Sequence, residues 1–305
     1  MPNVYTIGEA TFDIIFKDSQ PVDARVGGSV LNTAVSLGRL GVPVSFISSF
    51  GNDTVGDMAM DFLTTNGIST NCIHRFDGSS RIALAFLDSQ NNANYSFYNA
   101  TGKSVMKFPE IRENDIILFG SSHAVRDDIR SNLLAFLKDA RSKKAILIYD
   151  PNFRKSQLSQ LSVLKPKIEE NISLANLVKG SDEDFLSIFG TDPAGSFDLI
   201  KKYSDAALIC TANRKGVFIH SKTFSRHYEV PAISPLSTIG AGDTFSAGII
   251  YSLYKEKITA ASIHELKNTF WDSLADTATK FAQHVCLSYE NYLSAEFVKK
   301  YAGFK

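Results

Sequence analysis

The sequence has 305 residues, of which 44% are hydrophobic, enough for the core of one large α/β domain or of a core with a small appendage. Lysine plus arginine and aspartate plus glutamate number 32 each, and no basic run is present, which argues against nucleic acid and anionic membranes as partners. The apolar runs are strand-sized, no signal peptide is visible and the three cysteines are isolated, so we expect a soluble cytoplasmic protein.

Short apolar runs alternate with helical patterns along most of the chain. The predicted core strands are 4–8, 44–48, 116–119, 145–149, 174–178, 207–210 and 216–220. The predicted helices between them include 54–66, 127–141, 165–171, 182–189 and 196–203. This alternation predicts a mostly parallel sheet with helices on both faces, and ligands in such folds bind outside the carboxyl ends of the strands.

Two regions interrupt this alternation, because they contain extended segments and turns but no helix. Residues 14–26 form the first region, and residues 73–98 form the second, with a turn at Asp77-Gly78. We interpret them as a small β lid inserted between the first strands of the core. The predicted organisation is a single domain over residues 1–305, with a lid formed by about 14–26 and 73–107.

Paired glycines open a helical pattern near the start of the chain. Gly27 and Gly28 precede a segment whose apolar residues recur at helical spacing until Gly41. Asn32 lies in the first part of this helix, beside the glycines. Its amide either caps the helix or forms a hydrogen bond with a polyol ligand.

A second glycine-rich turn, S-T-I-G-A-G-D-T-F-S-A-G at residues 237–248, leads into another apolar helix. Gly240 and Gly242 allow the backbone to approach a ligand closely. The first helical turn offers unpaired N–H groups, which suit a phosphate or a developing oxyanion. Asp243 lies in that turn, where its carboxylate either caps the helix or takes a proton from a hydroxyl.

With both motifs in this order, about 210 residues apart, the chain resembles the ribokinase-like (PfkB-type) carbohydrate kinases, and among them the fructokinase-like members. These proteins carry G-G-x-x-x-N near the N-terminus and D-T-x-G-A-G-D-x-F-x-x-G near the C-terminus. The resemblance extends over about residues 4–285. It implies a three-layer α/β core with a mostly parallel sheet, plus a small β-sheet lid that closes over the sugar and often pairs with the lid of a second subunit. A homodimer formed through the lid is therefore expected.

The resemblance implies transfer of the γ-phosphoryl group of ATP to a primary hydroxyl of a small sugar, with Mg²⁺ between the β- and γ-phosphates. Asp243 would accept the hydroxyl proton, and the turn at Gly240, Ala241 and Gly242 would bind the developing charge through backbone N–H groups. The run D-P-N-F-R ends at Arg154 and resembles the D-P-N-x-R of fructokinase-like members. Arg154 would then face the phosphoryl group or a polar end of the substrate, whereas a surface ion pair is the alternative.

The resemblance assigns the acceptor sugar to Asp13, Gly27, Gly28 and Asn32. Without the resemblance, Asp13 at the end of the first strand would be read as a turn former. Fructose is the first choice of acceptor, because of the run at 150–154 and the lid segment at 96–98. Ribose, 2-keto-3-deoxygluconate and a nucleoside remain open alternatives.

The nucleotide and ion positions follow from the same comparison with the family pattern. The residues implied at ATP are Ser181, Thr211, Asn213, Gly216, Gly242 and Gln283. Asp184 would hold a water of hydrated Mg²⁺, although a capped, acidic helix start explains the same residues. Ser237 stands where the family usually has an aspartate that helps to bind a monovalent cation, so we expect a weak cation dependence.

Two functions other than that of a kinase are possible for a chain with these motifs. A non-catalytic sugar-binding regulatory protein with the same fold would keep Asp13, Gly28 and Asn32 but would not turn the sugar over. The intact sequence from Gly240 to Asp243 argues against it. An NAD-dependent dehydrogenase would need a glycine-rich dinucleotide fingerprint after the first strand, and Gly8 is the only glycine there.

Overall fold

A computed structural model describes residues 1–88, 93–102 and 105–302. The strands in chain order are β1 (Val4–Ile7), β2 (Thr11–Lys17), β3 (Gln20–Gly27), β4 (Val44–Gly51), β5 (Ile68–Ser69), β6 (Ile73–Phe76), β7 (Ile82–Leu87), β8 (Ala93–Tyr98), β9 (Ile116–Gly120), β10 (Ile146–Asp150), β11 (Leu177–Ser181), β12 (Ala207–Thr211), β13 (Val217–His220) and β14 (Ser225–Tyr228). The helices are α1 (Ser29–Arg39), α2 (Thr54–Thr65), α3 (Asp127–Ser142), α4 (Leu161–Leu174), α5 (Asp182–Phe189), α6 (Pro193–Ile200), α7 (Ala241–Lys255), α8 (Asn268–Cys286) and α9 (Ala295–Ala302).

A large sheet organises the fold, in the order β14-β13-β12-β11-β10-β9-β1-β4-β5, with β6 also paired to β4. The strands from β12 across to β5 are parallel, and β13 and β14 continue the sheet as antiparallel strands. The carboxyl ends of β1, β9, β10, β11 and β12 therefore lie along one edge of the sheet. This is the edge at which ligands bind in open α/β sheets.

Apolar side chains leave the central strands on alternate faces, so each face of the sheet has its own core. Ile146 and Ile148 of β10 pack with α1, α7 and α8, whereas Leu147 and Tyr149 pack with α3, α4 and α5. Trp271 of α8 is fully buried in the first of these cores. The helix–sheet–helix layers confirm the predicted three-layer α/β class.

A second, four-stranded sheet has the order β3-β2-β7-β8, with β2 and β7 parallel and the outer pairs antiparallel. This sheet confirms a small β lid as part of the fold, but its bounds differ from those predicted. It begins at Thr11 rather than at residue 14, and β6 (Ile73–Phe76) pairs with β4 of the large sheet instead. Residues 89–92 and 103–104 of the predicted range 73–107 lie outside the described residues.

Two predicted elements were misplaced, each for a local reason. The strand predicted at 174–178 lies at Leu177–Ser181, because Leu174 is the last residue of α4. The helix predicted at 196–203 is Pro193–Ile200, because Asp192 caps it through the Gly195 amide and Pro193 occupies its first turn. The predicted helix 182–189 is confirmed with its bounds.

Candidate active site

Asp243 lies in the first turn of α7, which begins at Ala241 next to the carboxyl edge of the sheet. Gly240 precedes the helix with φ of 80°, a left-handed conformation that disfavours any other residue, and an added Cβ would overlap the Asn291 carbonyl. The Ala241 amide donates to the Thr238 carbonyl at 3.3 Å. Among the described residues, the amides of Gly242 and Asp243 have no protein acceptor, so the turn can receive an anion.

The Asp243 carboxylate is held by α1, which reaches it from the other end of the sequence. The Ser29 hydroxyl donates to its Oδ1 at 2.5 Å, and the Asn32 amide donates to its Oδ2 at 2.8 Å. The Thr33 hydroxyl donates to the Asp243 carbonyl at 2.9 Å. Asn32 is thus buried against Asp243 and does not cap α1, and its Oδ1 has no partner in the described structure. A hydroxyl of a ligand would satisfy that oxygen.

Besides Ser29, three residues that the sequence analysis did not select complete this arrangement. Asn152, in the segment after β10, donates its amide to the Ser29 hydroxyl at 2.6 Å. Asp150, the last residue of β10, accepts a hydrogen bond from buried Lys179 of β11 at 2.8 Å. Asn152 belongs to the run that pointed to Arg154, and Lys179 is a charged residue inside an apolar strand; both signals were present in the sequence.

The predicted sugar residues form the adjoining part of the site. The Asp13 carboxylate, on β2, accepts from the Thr11 hydroxyl at 2.5 Å, and Arg25 lies opposite it on β3. A Cβ added at Gly27 would lie 2.5 Å from Asp13 Oδ2, so the absence of a side chain there leaves room for the carboxylate. Gly28 is the residue before α1. The structure therefore brings Asp13 and both glycines to the same end of α1 as Asn32.

Burial sets the direction in which the pKa of each carboxyl moves. Burial raises the pKa of Asp243, while the donors Ser29 and Asn32 and the charge of Lys179 lower it again. Burial also raises the pKa of Asp13, against the hydrogen bond from Thr11 and the charge of Arg25. A carboxylate with a raised pKa is a stronger proton acceptor once it is ionised, as a general base requires.

Ser181 and Asp184 form a reciprocal cap at the start of α5. The Ser181 amide and hydroxyl both donate to Asp184 Oδ2 at 2.7 Å, and the Asp184 amide donates to the Ser181 hydroxyl at 3.1 Å. The Phe153 amide donates to Asp184 Oδ1 at 2.7 Å. The helix-capping interpretation of these residues is thus realised, and their assignments to ATP and hydrated Mg²⁺ stay predictions.

Arg154 is exposed at the rim of the site, one residue after Phe153. Its backbone amide donates to the Gln157 side chain at 3.0 Å. Across the residues that the structure covers, the Arg154 guanidinium takes part in no ion pair, so the alternative of a surface ion pair has no support. Its assignment to the phosphoryl group stays a prediction.

The remaining residues assigned to ATP and to the monovalent cation lie from the end of β12 to the start of β13, before α7 and on α8. Thr211 ends β12, Asn213 follows with φ of 52°, and Gly216 closes the turn before β13. Asparagine tolerates this positive φ better than most residues do. Gln283 of α8 donates to the Pro231 carbonyl at 3.3 Å, and the Ser237 hydroxyl accepts from the Ile239 amide at 3.2 Å.

No helix in the part of the chain that the structure covers is long and apolar enough to cross a membrane. No group of three or more His, Cys, Asp or Glu side chains in residues 1–88, 93–102 and 105–302 could hold a metal ion.

The amino-acid sequence matches one known protein family over most of its length. Residues 1–267 match the model of the "pfkB family carbohydrate kinase". The chain belongs to this family. The pfkB-type chain is 28% identical to "Probable fructokinase-5" of Arabidopsis thaliana over 272 residues, which are 84% of each protein. It is a carbohydrate kinase whose sequence is similar to those of fructokinases.

Solved structures of the same fold include kinases for two kinds of acceptor. The fructokinase of Vibrio cholerae O395, in its "fructose, ADP and calcium ion bound form", has a TM-score of 0.81, 20% identity and coverage of 97% of this chain and 96% of its own. The aminoimidazole riboside kinase of Salmonella enterica, "complexed with aminoimidazole riboside and ATP analog", has a TM-score of 0.82, 18% identity and 99% coverage of both chains. These two similarities establish the fold, and the fold alone does not select the acceptor.

Proposed function

We propose that this carbohydrate kinase transfers the γ-phosphoryl group of ATP to a primary hydroxyl of a small sugar, with fructose as the first acceptor. One observation carries the proposal: the Asp243 carboxylate lies in the first turn of α7, beside two backbone amides without protein acceptors, and is held there by Ser29 and Asn32. A proton acceptor next to an anion site is the arrangement that phosphoryl transfer to an alcohol needs.

In the proposed reaction, Asp243 takes the proton of the acceptor hydroxyl as its oxygen bonds to the γ-phosphorus. The bond from that phosphorus to the bridging oxygen breaks, and ADP leaves with the electron pair. The amides of Gly242 and Asp243 donate to the oxygens of the transferring group, on which charge is spread. Asp13 and the free Oδ1 of Asn32 accept hydrogen bonds from other sugar hydroxyls and so orient the acceptor.

The residues present fit a hydrated Mg²⁺ that is held mainly by phosphates and water. Asp184 accepts three hydrogen bonds from protein groups, and a carboxylate has about four lone-pair positions, so it keeps capacity for one water of the ion. When bound, Mg²⁺ would neutralise charge on the β- and γ-phosphates. Arg154, exposed at the rim of the site, would approach the same group from the solvent side.

Measurement of ADP release across a panel of hexoses, pentoses, sugar acids and nucleosides tests this proposal. Fructose is expected to give the highest kcat/KM, because of the similarity to fructokinases. Selection of ribose, a sugar acid or a nucleoside would change the acceptor but keep the reaction. Tight sugar binding without ADP release, with every acceptor, would favour the non-catalytic sugar-binding alternative.

Ser237 predicts a weak dependence on potassium. A hydroxyl offers a lone pair without a charge, so K⁺ gains little there to offset its lost hydration. Exchange of K⁺ for a bulky organic cation at constant ionic strength is expected to change kcat by less than about tenfold. We expect Ser237→Asp to increase the stimulation by K⁺. Stimulation of the unmodified protein by more than about tenfold would show that another group supplies the charge.

We also propose that residues 1–305 act as a single kinase domain that works in the cytoplasm and dimerises through the small sheet. Val22, Phe86 and Tyr98 of that sheet are each exposed by about half, and several exposed apolar side chains on one small sheet favour a surface that a partner covers. A second copy of the chain would bury them. Sedimentation at micromolar concentration, compared for the unmodified protein and Val22→Glu, tests the dimer.

A further inference from the structure

Lys179 places a buried ammonium directly beneath the proposed site. It is the middle residue of β11, follows buried Leu177 and Val178, and is only 5% exposed. Its Nζ donates to Asp150 Oδ2 at 2.8 Å. Burial of a charge is costly even when it is paired, and an apolar pair of similar size would fill the same space. This pair therefore calls for an explanation other than packing.

The ammonium points to the first turn of α7. A Cβ added at Gly242 would lie 3.3 Å from Lys179 Nζ, so the ammonium lies directly behind the turn whose amides have no protein acceptors. The hydroxyl of Ser246, one turn further along α7, reaches Asp150 Oδ2 at 3.4 Å. The Lys179–Asp150 ion pair between β10 and β11 thus packs against the first two turns of α7.

The charges around the ammonium are mostly negative. Asp150 of β10, Asp184 of α5 and Asp243 of α7 all act on Lys179. Burial opposes the charge of Lys179, but these carboxylates outweigh burial and raise its pKa above the ordinary value, so it stays an ammonium. Among the residues that the structure describes, Lys179 is the cation that lowers the pKa of Asp243. The other groups that act on Asp243 are the neutral donors Ser29 and Asn32 and the anionic Asp150.

We propose that Lys179 is a positioning residue of the kinase: its ammonium, fixed by Asp150, keeps Asp243 in the charged form that accepts the proton and supports the α7 turn that receives the phosphoryl group. This inference rests on the proposed function. Loss of the ammonium leaves Asp243 among neutral donors and like charges, which favour its protonated form. Part of the enzyme would then hold a proton where the base is needed.

Lys179→Met tests the proposal, because methionine keeps much of the length and removes the charge. We expect kcat at neutral pH to fall about 10- to 100-fold in total, because the α7 turn loses its support and because the acid limb of the pH profile moves up. Only the part of the loss that comes from the acid limb should recover as the pH rises. The double variant Lys179→Met/Asp150→Asn removes both charges and so avoids an unpaired buried carboxylate. It is expected to keep part of the loss in kcat, because Lys179 lowers the pKa of Asp243 more than Asp150 raises it.

A purely structural pair makes a different prediction, namely that the double variant regains the kcat and the pH profile of the unmodified enzyme. That result, or a Lys179→Met variant with an unchanged acid limb, would overturn the proposal. Arg130→Met serves as the control, because it removes another buried cation, which bonds Asn171 and the Ala124 carbonyl between α3 and α4. It is expected to lower the melting temperature without moving the acid limb.

A titration separates this inference from the proposed reaction. The carboxyl pKa of Asp243 can be followed by carbon-13 NMR in protein without ligands, with the resonance identified from its loss in Asp243→Asn. Lys179→Met should raise that pKa. The double variant, used if the single one does not fold, should raise it by less, because it also removes the Asp150 charge that raises it. An unmodified protein without kinase activity would refute the proposed function, while an unmoved pKa would refute the role of Lys179.

Discussion

Asp243→Asn is expected to lower kcat by about 10²–10⁴-fold, the usual loss when a general base is removed. The amide cannot take the hydroxyl proton, but it has nearly the same shape as the carboxylate that Ser29 and Asn32 hold. Sugar affinity, measured by calorimetry, should therefore stay within a few-fold of the unmodified protein. Single-turnover measurement of phosphoryl transfer gives the rate of the chemical step directly.

Asp198→Asn on α6 is a matched control, because it makes the same change at an exposed position next to Lys201. It should leave kcat and sugar affinity unchanged. If Asp243→Asn kept near-normal turnover, Asp243 would be a structural residue of the α7 turn, and another base would have to be found. A variant that lost its fold would be recognised by its melting temperature.

Asp13→Ala is expected to weaken sugar binding by about 10- to 100-fold or more, because hydroxyls of the bound sugar lose a charged acceptor. The carboxylate lies beside Gly27 on the lid strand β2, away from the loops after β11 and β12 that are assigned to the nucleotide. Affinity for ATP should therefore change less than about twofold.

Calorimetric titration of the variant with fructose and, separately, with an ATP analogue gives both affinities. Thr11→Val is a useful companion, since it removes the donor to Asp13 while the carboxylate stays. It should weaken the sugar less than Asp13→Ala does. Equal weakening of sugar and nucleotide by Asp13→Ala would indicate damage to the fold and would refute the assignment of Asp13 to the sugar.

Most of the fold could be predicted because it depends on local signals. Apolar runs of four or five residues marked the central strands, and Asp182–Phe189 was predicted with its bounds because the helix start is capped and acidic. The edges were harder. The pairing of Ile73–Phe76 with β4 depends on register with a strand more than twenty residues away, and no local pattern encodes that register.

The site residues also differ in whether a signal in the sequence identifies them or only the tertiary structure does. Asp243 was selected because it lies in a recognisable motif and Asp13 because the family resemblance implies it, and their functional assignments stay predictions. Ser29 and Asn152 were missed because they are 123 residues apart in the chain and meet only when β10 and α1 reach the same edge of the sheet. Many serines and asparagines lie in loops, and the sequence does not show which of them point inward. Lys179 was missed because its importance depends on Asp150 in the neighbouring strand.

A single residue, Gly28, separates the lid strand β3 from helix α1. The lid strands are hydrogen-bonded to one another, and α1 carries Ser29 and Asn32, which donate hydrogen bonds to the Asp243 carboxylate. A tilt of the lid would therefore be transmitted through Gly28 to the donors that orient the proton acceptor. We expect the lid strand β2, which carries the proposed sugar residue Asp13, and the donors to Asp243 on α1 to move as one unit.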